Sequence, residues 1–256
     1  MVAVPVDSSP CLVVDHVARI FGGLKAVDGV SLTIRRGERR ALIGPNGAGK
    51  TTLFNLISGE LPTSAGSITL FGVDVTSSAP YRRAALGMAR TFQITRLFQN
   101  LTVFENAVLA CEALDRRKFA MHRALGTYAS LVDGASALLE DFGLGPERRR
   151  LARHLAYGDQ RKLEVALSLA GRPRLLLLDE PMAGLSGGER DSMRQLIERL
   201  DPNIALLLIE HDMDVAFALV ETVTVLFQGT VLADGLKSDV AANPQVQQAY
   251  LGVAVA

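Results

Sequence analysis

Four short apolar runs mark the chain: Arg40-Ala41-Leu42-Ile43, Leu175 to Leu178, Ile204 to Ile209 and Thr222 to Phe227. They are unbroken rather than alternating, and helical stretches separate them. Strands buried on both faces have this signature, so the runs predict the centre of a mostly parallel sheet. Nearer the start, Val30, Leu32 and Ile34 alternate with Ser31, Thr33 and Arg35, the period of a half-buried strand. Asp28-Gly29 reads as the turn before it, and Ile68 and Leu70 repeat the alternation after the breakers Pro62 and Gly66. Between about residues 94 and 153 the strand signals vanish. Leu101 to Leu114 and Tyr128 to Phe142 carry helical spacing there, with Gly143 and Gly145 closing the second segment. The pattern predicts an α/β fold in one domain spanning 1–256: a mostly parallel core, an N-terminal antiparallel β subdomain and a helical insertion. The expected boundaries are about 11–93 and 155–235 for the core with its β subdomain, 94–154 for the insertion and 236–256 for a C-terminal tail.

Composition narrows the classes of function. The 27 Lys and Arg residues equal the 27 Asp and Glu residues, so bulk charge gives no push toward nucleic acid or anionic lipid. Cys11 and Cys111, the two cysteines, stand in no metal-binding or redox spacing and read as reduced thiols. Residues 1–10 lack the basic and apolar stretches of a signal peptide. The longest apolar run is far short of the ~20 residues that span a bilayer. A chain that stays in the cytoplasm, free to dock onto a membrane protein, is expected.

The first motif with chemistry is Gly44-Pro45-Asn46-Gly47-Ala48-Gly49-Lys50-Thr51, followed by Thr52. It comes directly after the strand ending at Ile43 and before a helix carrying Leu53, Phe54 and Leu56, the context that a phosphate-binding loop requires. The glycines let successive N–H groups point inward, and the following helix brings its positive end to the same spot. Lys50 supplies a charge for the β- and γ-phosphates, and Thr51 a hydroxyl for Mg2+. The fold class is thereby a P-loop NTPase core.

A second motif, Leu175-Leu176-Leu177-Leu178-Asp179-Glu180, ends an apolar strand in two carboxylates at the edge where open α/β sheets bind ligands. Asp179 suits Mg2+, and Glu180 can orient and polarise an attacking water.

Three further landmarks occur in order along the chain. They are Gln93 after strand-like Met88 to Phe92, Leu155-Ala156-Tyr157-Gly158-Asp159-Gln160 before a helix, and His211 in Ile209-Glu210-His211-Asp212. On these the chain resembles the ABC ATPases over nearly its whole length. The resemblance implies roles: Gln93 in the Q-loop and at Mg2+, Leu155 to Asp159 as the signature, Ala183-Gly184-Leu185-Ser186 as the D-loop, His211 as the switch histidine and Phe21 stacked on adenine. Ile20 to Ala26, Ala89 to Gln93, Leu97 to Val103, Ile209 to Met213 and the tail segments Asn243 to Val246 and Ala249 to Gly252 resemble, more narrowly, the ATPases of branched-chain amino acid importers. Other transporter types and non-transport ABC ATPases are the alternatives.

The resemblance implies ATP hydrolysis by a head-to-tail dimer, formed with an identical subunit or a paralogue. Each ATP lies between one subunit's Lys50 loop and the partner's Ala156, Tyr157, Gly158 and Asp159. It also implies transmembrane permeases docked near Phe92–Phe104, a periplasmic or extracellular solute-binding protein acting through them, no nucleic acid, and a peripheral place on the cytoplasmic face of the membrane. Two departures stand out. Ala156 replaces the family's Ser, removing a hydroxyl worth on the order of 1 kcal/mol, and Ser186 stands where an acid is usual.

Overall fold

A computed structural model describes residues 10–91, 97–113 and 125–251. In chain order the strands are β1 (Pro10–Phe21), β2 (Leu24–Arg35), β3 (Arg39–Ile43), β4 (Ala65–Leu70), β5 (Val73–Asp74), β6 (Met88–Arg90), β7 (Leu175–Asp179), β8 (Ala205–Ile209), β9 (Thr222–Phe227) and β10 (Thr230–Leu236). The helices up to the middle of the chain are α1 (Lys50–Ser58), α2 (Pro80–Ala85), α3 (Val103–Ala113) and α4 (Leu125–Asp141). After them come α5 (Tyr157–Leu169), α6 (Gly187–Glu198), α7 (Met213–Leu219), α8 (Lys237–Ala242) and α9 (Pro244–Leu251). The chain divides into two compact units: one holds the residues up to Met88, Arg174–Glu180 and those from Leu200 on, and the other holds Ala89–Pro173 and Pro181–Arg199.

The first unit contains two sheets. One is antiparallel, in the order β2-β1-β4-β5. In the other, β3 pairs in parallel with β8 and β9, β7 pairs in parallel with β8, and β10 closes one side antiparallel to β9. Every residue of β7 and β8 is buried, which is why these runs carry no polar alternation. Both sheets and α1 share one core, with Leu12, Val14, Phe54, Leu56, Leu177 and Leu207 at or near zero exposure. Each such side chain contributes about 1.5–3 kcal/mol on leaving water. At the start of β3 the buried Arg40 joins Glu38 and Asp234, with Thr224 in the same network, so this buried cation is neutralised.

Asp28-Gly29 is not the turn that its composition suggests. It lies inside β2; the chain reverses at residues 22–23, and Gly22 has φ 59°. Val17 pairs with Val30 but Arg19 pairs with Val27, so one extra residue is accommodated on β2 as a bulge. Gly29, at φ 65°, supplies the left-handed conformation that a bulge needs as much as a turn does.

Arg83 is 1% exposed and carries the other end of α1. Its Nη1 donates to the Leu56 and Ile57 carbonyls at 2.8 and 2.7 Å, Nε to Ser78 O at 3.1 Å and Nη2 to Thr76 O at 3.3 Å. A cation against the last carbonyls of a helix satisfies orphan acceptors and the negative end of its dipole together.

The second unit is helical, with α3 packed on α4 and α5. Thr102 and Glu105 form a reciprocal cap at the head of α3: the Thr102 Oγ1 accepts from Glu105 N at 3.1 Å, and Glu105 Oε2 accepts from Thr102 N at 2.7 Å. Buried Asn106 pins the preceding loop by accepting from Phe98 N and donating to the carbonyls of Phe98 and Thr102. Among the described residues no helix is long and apolar enough to cross a membrane.

Candidate functional site

In the first unit, residues 44–49 link buried β3 to α1 with glycine at the tight points. Gly44 has φ 148° and Gly49 φ 102°. A Cβ on Gly44 would stand 2.2 Å from Leu226 O, and one on Gly49 would stand 2.4 Å from Ala26 O. Both positions exclude any side chain, by conformation and by contact. Ala48 is buried, whereas Asn46, Gly47 and Thr51 are exposed, and Pro45 and Thr52 are partly so. α1 starts on Gly49 with no side-chain cap and no acid in its first turn. Its free N–H groups and positive end are thus open to an external anion.

Lys50 is 8% exposed. Its Nζ donates to the loop's own carbonyls, Gly44 O at 2.6 Å and Pro45 O at 3.0 Å. Burial holds the ammonium below the ordinary lysine range, while the charges of Glu180 and Asp179 pull it back up. The two acids therefore share a field with the loop, as their position at the end of β7 predicts. Asp179 is 1% exposed. Glu180 takes φ 50°, a left-handed conformation that costs a non-glycine residue about 1–2 kcal/mol, and donates its N–H to Ile209 O at 3.0 Å. That bond ties it to the end of the strand leading to His211. Glu180 Oε1 and His211 Nδ1 lie 3.2 Å apart, the histidine more than half exposed and the carboxylate largely covered. Sequence reading missed Asp212, whose carboxylate caps α7 by accepting from the N–H groups of Asp214 and Val215. An Asp immediately before the helical pattern is the available signal.

Thr51 and Asp179 offer a hydroxyl and a carboxylate, the hard oxygen donors that Mg2+ takes, so the residues fit the ion. Gln93 lies outside the described residues. Phe21 ends β1 at 43% exposure, with the Arg19 guanidinium 4.6 Å from its ring centroid.

In the second unit, α5 begins at Tyr157 after Ala156, again without a side-chain cap. Tyr157 donates its hydroxyl to Ala183 O at 3.2 Å and accepts from Arg161 Nε at 3.0 Å. Its ring would lie 3.2 Å from a Cβ on Gly184. Gly158 is buried, while Ala156 and Tyr157 are exposed and Asp159 is partly so, paired with Lys162 at 3.3 Å. Of the helix face read from sequence, Leu163 and Ala166 are buried, and Leu167 and Ala170 are partly covered. The segment 183–186 and the head of α5 are thus brought together. Ser186, noted for lacking an acid, is the N-cap of α6, and Glu189 completes a capping box with it. The Ser-x-x-Glu spacing was legible but unread. Of the candidate docking segment, Leu97 and Val103 are buried, Phe98 is 60% exposed, and residues 92–96 lie outside the described residues.

Residues 27–183 match the family described as ABC transporter. The high-affinity branched-chain amino acid transport ATP-binding protein LivG of Salmonella typhimurium is 41% identical, over 96% of this chain and 100% of its own. The corresponding BraF of Pseudomonas aeruginosa is 39% identical over the same shares. Among solved structures, the ADP conformation of an ATP-binding cassette of an ABC transporter superposes with a TM-score of 0.81 at 27% identity, covering 96% of this chain and 100% of that one. A nucleotide-free cassette gives 0.80 at 27% identity, over 94% and 99%.

Proposed function

Because the chain belongs to the ABC transporter family, we propose that it is the ATP-hydrolysing subunit of an importer for branched-chain or related hydrophobic amino acids. The observation that carries the hydrolytic half is the gathering of Lys50, Asp179 and Glu180 in one field, with His211 against Glu180. The cargo rests on the LivG and BraF proteins, which align over their full length.

Residues 44–52 receive the triphosphate on backbone N–H groups and the open end of α1. Lys50 then exchanges two neutral carbonyls for charged phosphate oxygens, the stronger acceptors. Phe21 stacks on the adenine. Thr51, Gln93 and Asp179 are the residues that would hold Mg2+, which when bound would supply positive charge to offset that of the triphosphate. Glu180 orients the attacking water and accepts its proton, and His211 steadies that carboxylate and reaches the γ-phosphate. The reaction is completed by a second ATPase subunit, identical or paralogous, whose ATP is met by Ala156, Tyr157, Gly158 and Asp159 at the head of α5. Loss of the γ-phosphate removes that bridge, and the differential affinity drives the subunits apart. Permeases dock near Phe92–Phe104 at the cytoplasmic face of the membrane, and a solute-binding protein acts through them from the other side.

The test is reconstitution with the cognate permeases and binding protein in vesicles, recording ATP hydrolysis and uptake of labelled leucine. Both are expected, and both are lost with Lys50→Ala or Glu180→Gln. Hydrolysis indifferent to either substitution would overturn the ATPase assignment. Uptake indifferent to leucine, isoleucine and valine would overturn the cargo.

A further inference from the structure

The head of α5 is already occupied by a negative charge from its own chain. In the capping box, Glu189 Oε2 accepts from Ser186 N at 2.9 Å and from Ser186 Oγ at 2.6 Å. That box uses one oxygen of the carboxylate. The other is turned toward α5: a Cβ on Gly158 would stand 2.4 Å from Glu189 Oε1. The Ser186 hydroxyl, then the Ser186 amide, hold the carboxylate below its usual range, and the Gly158 N–H and Lys162 act in the same direction. Glu189 thus sets an ionised carboxylate against the first turn of a helix that has no side-chain cap of its own.

We propose that Glu189 is a resident anion at the tip of α5, and that the γ-phosphate carried by a second subunit must displace it or settle beside it. Glu189 thereby sets the ATP concentration at which two subunits pair. The proposal rests on the reading that Ala156–Asp159 meet the partner's ATP. A helix N-terminus favours either anion, because its free N–H groups and dipole act on any negative charge. It does not favour both together, since a carboxylate and a phosphate sharing one N–H repel at contact distance. In the absence of nucleotide the carboxylate satisfies the tip. With nucleotide, it opposes closure until the phosphate's larger charge prevails.

Glutamine at position 189 separates charge from capping, because Gln supports the same box as Glu. The experiment uses the full chain carrying Glu180→Gln to prevent turnover, with self-pairing followed by sedimentation against Mg-ATP. Adding Glu189→Gln is expected to lower the midpoint ATP concentration about tenfold, equivalent to roughly 1.4 kcal/mol. The thermal midpoint, and binding of a fluorescent ATP analogue to the separate subunit, are expected to stay unchanged. A midpoint within twofold of the parent, or a higher one, overturns the proposal. Ala156→Asp serves as the companion variant, since Asp at an N-cap supports the helix while adding a charge at the same tip. If it still pairs like the parent, the reading of α5 as the ATP-facing element fails, whatever Glu189→Gln does. If it abolishes pairing while Glu189→Gln is silent, that reading stands and the role of Glu189 alone is refuted.

Discussion

Glu180 is held in a conformation that its side chain disfavours, which allows its contributions to stability and to chemistry to be separated. At φ 50° a non-glycine residue gives up about 1–2 kcal/mol. Glycine at the same position recovers that strain but loosens the unfolded chain, at about 0.4–1 kcal/mol. The Glu180–His211 contact is also lost; with His211 more than half exposed, it contributes about 0–1 kcal/mol. These opposing effects leave Glu180→Gly within about 1 kcal/mol of the parent on a denaturant curve. Hydrolysis responds very differently. A positioned general base is worth about 10²- to 10⁴-fold, or roughly 3–5 kcal/mol at the transition state. Phosphate release by Glu180→Gly and Glu180→Gln is expected to fall by at least that lower factor, while Mg-ATP binding persists. A glycine variant destabilised by more than about 2 kcal/mol, or a Gln variant hydrolysing within threefold of the parent, would refute the reasoning.

Arg83→Met strips donors from the carbonyls of Leu56 and Ile57 and is expected to cost about 1–3 kcal/mol for each carbonyl left unpaired, measured by denaturant unfolding; a loss below about 1 kcal/mol would contradict the role assigned to the guanidinium. Lys50 titrates below its ordinary value chiefly through burial. Between that lowered value and the ordinary lysine range the unfolded chain binds more protons, so the stability of the parent rises with pH across this window. Against Lys50→Met, which lacks the titration, the parent is expected to gain steadily over alkaline pH; parallel curves would count against it. Phe98→Asp places a charge on an exposed aromatic beside α3 and is expected to cut permease-dependent uptake at least tenfold, with ATP binding by the isolated chain unchanged.

Much of the first unit was legible because its strands are buried on both faces. The runs at 40–43, 175–178, 204–209 and 222–227 needed no tertiary information to stand out. The phosphate loop was legible for a related reason: Gly44 and Gly49 answer steric demands of the backbone, which leave a residue-type record. Asp28-Gly29 misled because a left-handed glycine serves a bulge as well as a turn, and only the pairing with β1 distinguishes them. Arg83 was invisible because its partners are backbone carbonyls, those of Leu56 and Ile57 more than twenty residues away, which any sequence could supply. Glu189 was half visible: its spacing to Ser186 is local, but its second oxygen answers to Gly158, 31 positions earlier by the chain numbering. The insertion was readable as helical, whereas which of its apolar residues remain uncovered depends on packing, as Leu97 and Phe98 show with opposite fates.

The bare start of α1 makes nucleotide a missing piece of the protein's own architecture. A helix finished at one end by Arg83 and left unfinished at the other gains its final cap from solution. Occupancy is then a contribution to folding: at a hundredfold excess over Kd it adds about 2.7 kcal/mol. The subunit without bound nucleotide is expected to be the softer form, more open to proteolysis than the loaded one.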